Sequence, residues 1–111
     1  MNEGSLYQEL IENFPELRDS FDPNTGIYCN FGELGLSIRD EIVKKQFGVE
    51  FLDRAFRYLN NLANSADREV LNLLSVGVLE ILTDSEDSVC FARKNLNGKA
   101  LIMLEDLVKR I

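Results

Sequence analysis

The chain has 111 residues, 45% of them hydrophobic and 28% charged, and 19 acidic against 12 basic residues leave a formal charge of −7. That balance excludes a surface that tracks nucleic-acid phosphates or anionic lipid and favours basic proteins as partners. With no histidine the commonest general base and metal ligand are missing, and Cys29 and Cys90 lie too far apart in sequence to form a metal-binding motif.

A chain of this length suits one domain whose core holds without metal or disulfide staples. Ser5 is expected to cap a first helix over residues 6–14, with Leu6, Leu10, Ile11 and Phe14 on one face. Pro15 breaks that helix and starts a short one over 15–21 that carries Leu17 and Phe21. Asp22-Pro23-Asn24-Thr25-Gly26 is turn chemistry throughout. Ile27-Tyr28-Cys29 is expected to be an extended connector. Asn30 with Glu33 forms a capping box for a helix running to about residue 46. Phe31, Leu34, Ile38 and Ile42 give its stripe, Gly35 allows a close helix approach, and Gly48 is the expected left-handed cap.

A helix over 49–63 follows, with Leu52, Ala55, Phe56, Leu59 and Leu62 in three–four spacing. Glu50–Arg54 and Asp53–Arg57 are i,i+4 pairs of favourable order. Asn64 or Ser65 then caps the stretch 67–82, which the rest of the chain is organised around. Apolar residues cover nearly every face of it, so it is expected to be the most buried helix. Asn72, Ser75, Gly77 and Glu80 interrupt it, and it is too short to span a bilayer. Polar residues 83–88 lead into a helix over 86–96, which Asn97-Gly98 stops. The last helix runs from about residue 99 to the end, with Ala100, Met103, Leu104, Leu107, Val108 and Ile111 on its apolar face. The fold class is therefore all-α: a single-domain bundle of antiparallel helix pairs with short HEAT-like, α-solenoid character. The opening Met1-Asn2-Glu3-Gly4 lacks the basic-then-apolar order of a secretory signal, so a cytoplasmic location is expected.

No motif for catalysis stands out, and no enzyme activity, cofactor or metal is expected. The carboxylates Asp40-Glu41, Asp84 with Glu86 and Asp87, and Glu105-Asp106 read as solvated helix ends and faces. Glu80, inside the most apolar helix, reads as lying on its one exposed strip beside Asn72 or Gly77, or as pairing with an arginine. The sharper alternative is a partly buried acid that binds something basic. Cys29 and Cys90, set among apolar residues, read as buried reduced thiols. Of the aromatic residues, Tyr28 stands apart from helical core spacing. Acidity is concentrated before residue 23 and in the break at 84–87. Glu16, Asp19, Asp22, Asp84, Glu86 and Asp87, with Tyr28, are the expected contacts for a basic protein partner.

Phe14-Pro15-Glu16-Leu17 after an opening helix, and the segment 73–82 followed by Ala92-Arg93-Lys94 and a final amphipathic helix, resemble a family of small bacterial helical proteins. That family is similar to the immunity proteins of contact-dependent-inhibition and other polymorphic toxin systems. The resemblance implies a cytoplasmic protein that binds a cognate toxin, often a basic nuclease domain, and blocks its active site. It supplies no catalytic residues to carry over, and from the acidic balance no membrane contact and no direct nucleic-acid contact are expected. The alternative is a helical adaptor that binds a peptide or partner protein in a groove.

Overall fold

Asn2 opens the first helix of the computed structural model, which describes residues 1–110. Helix α1 is Glu3–Asn13, and the Asn2 Oδ1 accepts the Ser5 amide at 2.9 Å. The cap therefore stands three residues ahead of Ser5, which supplies the donor and not the acceptor. Leu6 and Leu10 face the core, and Pro15 ends α1 and starts a single 3-10 segment, Pro15–Ser20.

Helix α2, Ile27–Lys44, starts earlier than the capping box suggests. Residues 27–29 are its first turn, not an extended connector. Asn30 is 2% exposed and caps nothing. Its side chain instead closes the preceding turn, accepting the Asp22 amide at 2.8 Å and donating to the Asp22 and Gly26 carbonyls at 2.8 and 3.1 Å. A buried amide with these partners leaves no polar atom orphaned.

The end of α2 also differs from the sequence reading. Lys45, with φ 54°, takes the left-handed position, and Gly48, with φ 93°, is the residue before α3. Glu41 explains the shift. It is 2% exposed, and its carboxylate accepts the Phe47 amide at 2.9 Å and the Gly48 amide at 2.7 Å. The loop is thus gathered around a buried carboxylate, so Glu41 is not a solvated helix-face acid.

Helix α3, Val49–Leu62, has the cleanest stripe and buries half of its residues. Phe14 sits edge-on to both Phe51 and Tyr58 there, with ring centroids 5.9 and 5.6 Å apart. The stretch after it is one helical run in three parts: α4, Arg68–Leu74, a π turn, Ser75–Leu79, and α5, Glu80–Leu82. Asp67 is its cap, accepting the Glu69 amide at 2.9 Å, while Ser65 accepts the Asp67 amide. Leu73 and Leu74 are buried before the π turn, and Gly77, Val78, Leu79 and Leu82 within and after it. The wide turn rotates the helix's inward face partway along, which is why its apolar residues look spread over every side. It is not the most buried helix: six of its fifteen residues are buried, against half of those in α3.

Helix α6, Glu86–Asn95, is capped by Ser85, and α7 is Gly98–Lys109. Asn97 is extended, at φ −140°, and precedes α7 in the cap position, so of the pair Asn97-Gly98 only Gly98 takes a positive φ. Asn60 holds that junction, accepting the Asn97 amide and donating to the Asn95 carbonyl. Ala100, Leu104 and Leu107 face inward; Ile111 lies outside the described residues. There is no strand among the described residues. α2 packs along residues 68–82, while α3 packs against α4 and α7. Among the described residues no helix is long and apolar enough to cross a membrane.

Candidate functional site

Helix α2 has two faces of different kinds. Ile27, Phe31, Leu34, Gly35 and Ile38 form the inward one. At 3.6 residues per turn, Tyr28, Gly32, Leu36, Arg39 and Val43 fall within about a quarter turn of one another, on a strip that begins beside Gly35 and turns away from the core. Three of them expose large apolar groups: Tyr28 is 41% exposed, Leu36 37% and Val43 64%. Cys29 is exposed beside them. Glu33 and Asp40 line one edge of this strip.

The other edge is the helical run 68–82. Asn72 donates to the Tyr28 hydroxyl at 2.8 Å near the start of both helices. Gly35 meets Gly77, Val78 and Ile81 midway. Arg39 reaches Asp84 at 3.0 Å at the far end. These pairs hold a constant offset, so the two helices lie side by side and run parallel. Asn72, Val76 and Glu80 recur on the exposed side of the second helix, and Val76 is 45% exposed. Glu80 therefore occupies an exposed strip and is not a buried charge.

The acids singled out in the sequence lie around this pair of helices and differ in how free they are. Glu16 lines a hollow with Asp40 and Phe47 at the edge of α2. Arg54 grips it in a fork, at 3.0 and 2.5 Å, while also donating to the Asn13 carbonyl. That grip holds the Glu16 carboxyl below the usual carboxylate range and raises the guanidinium, chiefly through the hydrogen bond. Arg54 was expected to pair with Glu50 and instead ties the 3-10 segment to α3. Asp84 is held by Arg39, which also approaches Asp40 at 3.9 Å. Asp19, Asp22, Glu86 and Asp87 are exposed and make no ion pair among the described residues. Asp22 accepts the Asn24 amide, and Glu86 and Asp87 lie in the first turn of α6.

Residues 83–86, α6 and Val108 enclose a second feature, an open groove of about 810 Å³. Asp84, Glu86, Arg93 and Lys94 are its charged lining residues. Cys90 is on its wall and, like Cys29, is an exposed free thiol, so neither is the buried core thiol expected. Among the described residues no three Cys, Asp or Glu side chains converge as a metal ion requires.

Leu36, Val43 and Val76 were missed by the sequence reading. The first two were legible: they stand opposite the Phe31–Leu34–Ile38 stripe on the same helix. Val76 was legible too, since it stands four residues from both Asn72 and Glu80 on the same strip.

The family described as "Domain of unknown function (DUF7674)" matches residues 7–103. No curated protein and no solved structure matches the chain.

Proposed function

The chain belongs to that DUF7674 family, and we propose that it is a protein-binding module whose acidic face takes a basic protein partner. The observation that carries this reading is the arrangement around α2. An exposed apolar strip of Tyr28, Leu36 and Val43 has Glu33 and Asp40 on one side and Glu80 and Asp84 on the other. Apolar contact area with a charged rim is the usual division of labour at a protein interface. The rim speeds encounter with an opposite charge, and the apolar centre sets how long the complex lasts. The net charge of −7 adds to the steering. The reading extends, through the resemblance to immunity proteins, to a cytoplasmic inhibitor of a basic nuclease-type toxin that acts without chemistry of its own.

The open groove beside α6 supports the second reading, an adaptor that holds a peptide. Co-purification with the product of the adjacent gene separates the two. A one-to-one complex weakened by Asp40→Lys and Glu80→Lys supports the acidic-face reading. A complex weakened only by changes at Val89 or Val108, inside the groove, supports the adaptor.

A further inference from the structure

The parallel pair formed by α2 and residues 68–82 leaves a seam on its outer side. Tyr28 and Asn72 fasten it at one end through their hydrogen bond, and Arg39 and Asp84 fasten it at the other through their ion pair. Between those fastenings the outward residues are Gly32 and Leu36 on α2 and Val76 and Glu80 on the other helix. Leu36 and Val76 stand exposed on either helix. Gly32 adds no side chain, and a Cβ placed there would meet nothing within 4 Å. From Tyr28 to Arg39 is about 16 Å at 1.5 Å per residue, the length of three helical turns. Two parallel helices with a shallow trough between them accept a third helix lengthwise, anchored through residues spaced i, i+3/i+4 and i+7.

We propose that this seam is the docking site for an amphipathic helix of the partner, with apolar residues on one face and Lys or Arg on both flanks. The proposal deepens, and rests on, the reading of the chain as a binder of basic proteins. Charge complementarity selects the occupant. Glu33 and Asp40 border one side of the seam and Glu80 borders the other, while Asp84 is neutralised by Arg39. Arg39 is the basic residue between Tyr28 and Val43, and it is already held by Asp84. A second copy of this chain would bring the same acids face to face, so a self-docked dimer is disfavoured.

The test uses an 18-residue peptide of Leu and Lys ordered to give one apolar helical face, and a second peptide of identical composition scrambled to have none. Amide chemical shifts of the isotope-labelled full chain are followed during titration with each. The expected result is shift changes centred on residues 28–39 and 72–80, with the scrambled peptide binding at least tenfold more weakly. Leu36→Asn and Gly32→Arg should each weaken the ordered peptide at least tenfold, and Val49→Asn, exposed on α3 away from the seam, should not. Gly32→Arg guards against misfolding, since its site is open. Equal binding of both peptides, weakened by Glu80→Lys but not by Leu36→Asn, would overturn the helix site while leaving the basic-partner reading standing. Shift changes centred on residues 83–94 would overturn it in favour of the groove beside α6. Failure of both peptides to bind would overturn both readings, and a dimer of the free chain in sedimentation, lost with Leu36→Asn, would reassign the seam to self-association.

Discussion

Gly35 and Gly77 set the distance between α2 and the helix that runs beside it. A Cβ on Gly35 would lie 3.3 Å from the Gly77 carbonyl oxygen and 3.1 Å from the Ile81 Cδ1, and a Cβ on Gly77 would lie 3.2 Å from the Phe31 Cβ. Two of these neighbours are backbone or Cβ atoms, which cannot swing aside. The close approach is what brings Tyr28 within reach of Asn72 and Arg39 within reach of Asp84.

Gly35→Ala should therefore destabilise the fold by about 1–3 kcal/mol, despite the better helix propensity of alanine. Gly32→Ala, three residues away in open space, should instead stabilise by up to about 1 kcal/mol. Urea unfolding of the two variants checks the pair, and equal effects would mean that the helices are not in close contact at Gly35.

Glu41 should matter more than its exposed neighbour. Glu41→Ala leaves the Phe47 and Gly48 amides without their acceptor, a loss of about 1–3 kcal/mol. Asp40→Ala should change stability by less than about 0.5 kcal/mol. Thermal unfolding of both variants reads the difference.

The Glu16–Arg54 fork should give the fold an acid-side pH dependence. The folded Glu16 carboxyl lies below its unfolded value, which is near 4.3. Its stabilisation is complete above that unfolded value and is lost as pH falls through the lower folded one. Glu16→Gln should be less stable than the parent at neutral pH and should lose less between about pH 5 and 3. Parallel melting curves at both ends of that window would contradict the assignment.

Leu74 is fully buried in α4, so Leu74→Ala should cost about 2–5 kcal/mol. Ile102→Ala, at a position 62% exposed on α7, should cost little. A small change at Leu74 in denaturant unfolding would mean that the run 68–82 is not core.

Periodicity and Pro15 were enough to read the all-α class and the rough extent of every helix, and Gly35 was legible as a close approach because it interrupts an apolar stripe. Cap positions were less legible. Asn30 has the side chain of a cap but is spent on the Asp22 turn, and Glu41 looks like a surface acid until Phe47 and Gly48 fold back onto it. Such roles depend on where the chain returns, which local spacing does not record. Six of the proposed contact residues were chosen by charge and position in loops, and Tyr28 as an aromatic apart from helical core spacing. That criterion found acids around α2 but not Leu36, Val43 and Val76, the apolar strip between them. The π turn had no local signature, so the division of the run 68–82 into three parts was invisible.

The most direct measurement is the association rate of the chain with the ordered Leu/Lys peptide at low and at high salt, for the parent and for Asp40→Lys with Glu80→Lys. The acidic-face account expects the double variant to associate more slowly at low salt and with a flatter salt dependence, while its stability changes by less than about 1 kcal/mol because both acids are exposed. An association rate at low salt equal to the parent's would contradict it.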